Sequence, residues 1–99
     1  MKETVVERHL IRRSVEAGGD CMKIMPVVAG YPDRLVLLPR NRFFFVETKQ
    51  PKGEIRPAQR VFAQRKAKIG ITVYFLWTKE AVDEWMDARL AEGPDPLPG

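Results

Sequence analysis

Residues 30–49, GYPDRLVLLPRNRFFFVETK, decide how this chain is read. Two apolar runs, residues 33–38 and 42–49, flank the turn Pro39-Arg40-Asn41 and predict an antiparallel hairpin. Both runs are apolar at successive positions: Leu35 and Leu37 against Val36 and Leu38, then Phe43 and Phe45 against Phe44 and Val46. A strand with one solvated face alternates apolar with polar residues, so these two read as central strands covered from both sides. With the turn centred on Arg40, residues equidistant from it face each other, which sets Val36 opposite Phe44 and Asp33 opposite Glu47. Opposed residues on such a pair have Cβ atoms about 4.5–5.5 Å apart.

Two carboxylates so placed, beside Leu35, Leu37, Phe43 and Phe45, repel each other and resist burial. A hard divalent cation resolves the conflict, because Mg²⁺ takes oxygen ligands and is usually held by one or two carboxylates with waters and substrate phosphate. Lys49 lies two residues beyond Glu47 and so points to the same face. An ammonium there can orient a water and stabilise charge on a phosphorane. Thr48 points the other way, but its backbone carbonyl sits beside Glu47 and can complete the coordination.

Outward from the hairpin, residues 3–17 read as a helix with Val6, Leu10 and Ala17 on one side, stopped by Gly18-Gly19. Residues 21–28 predict a first strand, marked by Pro26 as an edge or bulged one. After the polar loop 50–56, residues 57–68 predict a second helix with Pro57 at its first position and Gly70 past its end. Its inward side chains are expected to be Ala58, Val61, Phe62 and Ile69. Residues 71–77, ITVYFLW, make a fourth strand. Thr78 can cap a last helix running to about Ala91, with Val82, Trp85, Met86 and Leu90 as its apolar stripe. The predicted order is α-β-β-β-α-β-α, an α/β fold with a small mixed sheet and helices on both faces.

The 99 residues fit one domain, expected over residues 1–92, with GPDPLPG at 93–99 a flexible tail. A hydrophobic content of 44% and a charged content of 30% describe a globular chain with a modest core. No apolar run approaches the length that spans a bilayer, and the N-terminus lacks a signal-peptide core, so a cytoplasmic location and no membrane partner are expected. One cysteine and one histidine exclude a disulfide framework, a Cys-rich zinc site and a site needing two imidazoles. Charge is uneven: residues 51–78 carry six Lys/Arg against Glu54 alone, whereas residues 79–99 carry two against six acids. A basic body beside an acidic end suggests a nucleic-acid footprint on one side and a solvated face on the other.

Gly30-Tyr31-Pro32-Asp33 followed by Glu47-Thr48-Lys49 resembles the PD-(D/E)xK nuclease signature, and the details look like its VRR-Nuc (virus-type replication-repair nuclease) branch. The resemblance runs from about Glu3 to Trp77 and includes a glutamate in the first helix, Glu7, and a glutamine at the head of the next, Gln59. It implies a restriction-endonuclease-like core and a Mg²⁺- or Mn²⁺-dependent phosphodiesterase acting on DNA in a bacterial or phage-infected host cell. By that resemblance Asp33, Glu47 and the Thr48 carbonyl hold the metal and Lys49 positions the attacking water. Glu7 adds a carboxylate, directly or through water, and Gln59 orients Lys49 or touches the phosphate backbone. Stand-alone members of this size resemble homodimeric resolvases of four-way DNA junctions. Rival readings are a flap or end nuclease, and a DNA-binding module that keeps the fold without cleaving.

Several residues carry two readings. Glu7 is also explained as a first-turn acid favoured by the helix dipole, and Gln59 as an ordinary hydrogen-bonding residue at a helix start. Lys23 either reaches a phosphate or is an exposed strand lysine. Lys52, Arg56 and Arg60, with Arg65 and Lys66, either track a DNA backbone or are simply solvated. His9 is expected on the helix surface, Cys21 and the methionines in packing, and Trp77 and Trp85 anchoring the last helix against the sheet.

Overall fold

The computed structural model describes residues 3–25 and 27–92; the expected tail at 93–99 and the role given to Pro26 lie outside the described residues. Seven elements follow in the expected order: α1 (Val5–Glu16), β1 (Asp20–Lys23), β2 (Arg34–Leu38), β3 (Arg42–Thr48), α2 (Pro57–Ala67), β4 (Val73–Leu76) and α3 (Lys79–Ala91). The strands form one mixed sheet in the order β1-β2-β3-β4, antiparallel except for the parallel β3–β4 pair. That parallel pair is possible because α2 carries the chain back across the sheet.

The hairpin register is the one expected from its turn, with Val36 opposite Phe44 and Arg34 opposite Val46. Arg40 and Asn41 both take left-handed φ values, 71° and 63°, to close it. The pleat sends Arg34, Val36, Leu38, Phe44, Val46, Tyr74 and Leu76 to one face and the odd-numbered residues of β2 and β3 to the other. α1 and α3 cover the first face. Val6, Leu10, Cys21, Val36, Val46, Val82, Trp85 and Met86 form its core, with Leu10, Val36, Val46, Val82 and Met86 wholly enclosed. The Trp85 ring meets Phe44 and Tyr74 edge-on at 5.5 and 5.4 Å, which anchors α3 as expected.

The second face is less covered than the two-sided apolar pattern predicts. α2 lies on it, yet no residue of α2 is buried. Ala58, Val61 and Ile69, expected to face inward, are exposed, and of the four only Phe62 is partly buried, its ring against Tyr31 and Phe45. One aromatic cannot roof a whole sheet face, so Phe43 stays 60% exposed. β1 is shorter than expected because its partner leaves the sheet: beyond Ile24, whose N–H donates to the Asp33 carbonyl at 2.8 Å, the opposing chain turns away at Gly30-Tyr31-Pro32. Met25, Val27 and Val28 are consequently exposed.

Two further side chains differ from expectation. His9 is buried, not superficial: its Nε2 lies 2.7 Å from Asp83 Oδ1, and Arg13 reaches Asp83 and Asp87 beside it. The acids of α3 therefore join it to α1, so they are not purely a solvated face. Trp77 does not anchor α3; its Nε1 donates to the Gly53 carbonyl at 2.7 Å and ties down the loop before α2.

Candidate active site

The C-terminal end of β3 brings together four of the singled-out residues on the α2 face. The register that pairs Arg34 with Val46 sets Asp33 opposite Glu47 one position on. The Asp33 N–H donates to Glu47 Oε1 at 2.8 Å. Lys49, two residues along the strand, places its Nζ 3.8 Å from Glu47 Oε2 and donates to Gln59 Oε1 at 2.6 Å. Gln59 Nε2 donates in turn to Glu47 Oε2 at 3.2 Å, while its Oε1 also accepts from the Arg56 N–H at 3.0 Å. The amide thus holds the ammonium and the carboxylate at once, and the head of α2 fixes the amide. Gln59 is thus a partner of Lys49, one of the two contacts its motif position implies.

Burial, followed by the negative charge of Asp33, pushes the Glu47 carboxyl up to about 7; the Asp33 N–H and the Lys49 ammonium oppose the rise only in part. A buried carboxylate whose proton affinity is raised beside a second carboxylate, in a half-dry corner of oxygen donors, fits a hard divalent cation. Asp33, Glu47 and the Thr48 carbonyl are the donors available to one. Among the described residues no three Asp, Glu, His or Cys side chains converge, so waters would complete such a shell.

Glu7 is not drawn into this cluster. It is buried on the α1 side of the sheet, where Arg34 Nε donates to its Oε2 at 2.9 Å and Lys23 Nζ lies 3.4 Å away. Burial alone would raise the Glu7 carboxyl, but the hydrogen bond and charge of Arg34, with Lys23, hold it below its ordinary value. Arg34 Nη2 also bonds Glu3 at 2.9 Å, and Arg34 itself is almost fully enclosed. Sequence reasoning passed over Arg34. The signal was present, because strand parity places it on the same face as Val36 and Leu38, where a lone charge requires a partner.

Lys23 stands at the edge strand beside Glu7, apart from Lys49. Lys52, Arg56 and Arg60 are all exposed, in the loop before α2 and on its first turns, next to Gln59. Cys21 is buried in the core and its thiol is pushed up to about 11 by burial, which keeps it inert.

No protein-family profile matches the chain. Over 60 residues it is 38% identical to "Putative nuclease p44" of Acyrthosiphon pisum secondary endosymbiont phage 1, a match that spans 60% of this chain and 64% of that protein's length. A solved structure described as "VRR_NUC domain" superposes with a TM-score of 0.77 at 30% identity, over 83% of this chain and 90% of the other. A sheet of this order, the β2–β3 carboxylate pair at its end, and that likeness over nearly the whole of a solved domain place the chain in the VRR-Nuc domain family.

Proposed function

We propose that the chain is a divalent-metal-dependent DNA endonuclease that hydrolyses phosphodiester bonds in branched DNA. The observation that carries this reading is the Asp33–Glu47 pair facing Lys49 and Gln59 on one sheet face. A binding module has no use for carboxylates that repel each other beside a lysine, whereas hydrolysis of a phosphodiester needs each of them. A cation held there by Asp33, Glu47 and the Thr48 carbonyl would polarise the scissile phosphate and lower the pKa of a bound water. Mg²⁺ or Mn²⁺ suits that oxygen donor set.

The side chains supply the rest. Lys49, its Nζ fixed by Gln59, orients the attacking water and meets the negative charge that grows on the phosphorane. Glu47 accepts from Asp33 N–H and Gln59 Nε2, which sets the rotation of its carboxylate before any ligand arrives. Glu7, clamped by Arg34 and Lys23, contributes its charge through water at most. Lys52, Arg56, Arg60 and Lys23 take the phosphates on either side of the cut.

Four-way junctions are the substrate this reading favours, cut by a homodimer whose two-fold axis matches that of the junction. Cleavage would take place in the cytoplasm of a bacterial or phage-infected cell; among the described residues no helix is long and apolar enough to cross a membrane. The test is end-labelled cleavage of a four-way junction, a 5′ flap and plain duplex in Mg²⁺, Mn²⁺ or EDTA. Paired symmetric nicks confined to the junction, and dependent on metal, are expected. Cutting confined to flaps or ends would keep the chemistry and remove the dimer. Tight binding without cutting in either metal would leave a DNA-binding module.

A further inference from the structure

The turn that presents Asp33 also locates the helix that carries Gln59. α2 buries none of its residues, and the space between its outer side and β4 is a cavity of about 330 Å³ lined by Ile55, Arg60, Ala63 and Phe75. What fixes α2 is a joint at its other side. The Phe62 ring meets Tyr31 at 5.1 Å and Phe45 at 5.8 Å. One turn earlier Ala58 lies against Gly30, so closely that a Cβ on Gly30 would stand 2.4 Å from the Ala58 carbonyl oxygen. Gly30 also holds φ at +97°, a conformation that only glycine adopts without strain. Gln59 sits between these two anchors, and its amide is the group that reaches Lys49 and Glu47.

We propose that Gly30 and Tyr31 are positioning residues: they form a socket that docks α2 and thereby sets the Gln59 amide on Lys49 and Glu47. One four-residue turn then aligns the carboxylate at its end and, through α2, the amide opposite it. The inference rests on the nuclease reading for its kinetic consequence but not for its geometry. Tyr31 acts through its ring, so Tyr31→Phe keeps the function and Tyr31→Ala loses it. Gly30→Ala is the less useful variant, because backbone strain at φ +97° costs stability for reasons unrelated to Gln59.

The experiment is a double-mutant cycle on the full chain, read by single-turnover cleavage at saturating enzyme and by the side-chain amide signals of Gln59 in ¹⁵N-labelled protein. Tyr31→Ala should slow cleavage about tenfold or more with DNA affinity unchanged, since a small misplacement near reacting groups has effects of this order. Gln59→Ala should slow it comparably, and the double variant should be no slower than Gln59→Ala within about twofold. The Gln59 amide signals should move toward solvent values in Tyr31→Ala and stay in place in Tyr31→Phe. Multiplicative losses in the double variant, Gln59 signals untouched by Tyr31→Ala, or a loss of DNA affinity with an unchanged rate would each overturn the socket. Absence of cleavage by the parent chain in both metals would instead overturn the nuclease reading, and the amide signals would still decide the socket.

Discussion

In the proposed mechanism, Lys49 is the residue on which the chemistry turns. It is held by Gln59 and faces the carboxylate pair without filling the core, so Lys49→Ala should abolish cleavage while melting temperature and DNA affinity change little. Cleavage at the parent rate would remove Lys49 from the reaction. Glu47 gives a second residue-scale prediction. Its carboxyl rises from about 4.5 to about 7 in the folded chain, so the fold binds that proton more tightly than the unfolded chain does. The resulting stability is full below the unfolded value and is lost as pH rises through about 7. The unfolding free energy in EDTA should therefore be larger at pH 5 than at pH 8 by roughly 1–2 kcal/mol, once solvent screening is allowed for. Glu47→Gln should flatten that slope; an equal slope in the variant would mean that other groups cause it. The carboxylate pair was readable from the sequence because a hairpin's register follows from its turn. Strand parity also shows that Arg34 needs a partner; that the partner is Glu7 was not legible, since it depends on how α1 crosses the sheet, which no local pattern states.

Among the elements, the hairpin and α1 carry the most cost when altered. Arg34→Ala would leave the buried Glu7 of α1 with only the half-exposed Lys23 at 3.4 Å, with an expected loss of about 3 kcal/mol in denaturant unfolding. Arg34→Met combined with Glu7→Gln should recover much of it, and no recovery would argue that Arg34 stabilises by packing alone. The β2–β3 turn makes the opposite prediction. Arg40 bears a left-handed φ of 71° that an arginine tolerates poorly, so Arg40→Gly should raise stability by about 0.5–1 kcal/mol despite the freedom it adds to the unfolded chain. Helix and strand identities were legible from periodicity and stop signals throughout. The burial of α2 was not: its apolar residues have helical spacing, but only Phe62 finds aromatic partners, and how deeply a helix beds on a sheet depends on tertiary packing that its own spacing does not state. His9 misled for the converse reason, since a polar helix residue looks superficial until a second helix brings Asp83 to it.

At the scale of the molecule, the longest extent is 41 Å, little more than one turn of duplex DNA at about 34–36 Å. Contacts to a substrate must then be few and mostly to phosphates, with the basic residues at the head of α2 nearest the site. Affinity should accordingly fall as salt rises, and replacing both Arg56 and Arg60 with Ala should lower the slope of log affinity against log salt by about 2 for duplex arms. An unchanged slope would place the DNA elsewhere on the surface. The mixed sheet has a consequence for assembly in time. β1, β2 and β3 pair with near neighbours in sequence, whereas β4 must find β3 across the whole length of α2. Loop closure delays such distant pairings, so the hairpin bearing Asp33, Glu47 and Lys49 should form early and the parallel strand late. A chain emerging from the ribosome releases Lys49 ten residues ahead of Gln59, so it would own its carboxylates and lysine before the glutamine that holds them. In the proposed mechanism such nascent chains would be able to capture a cation before they could cut, a built-in delay between loading the site and arming it.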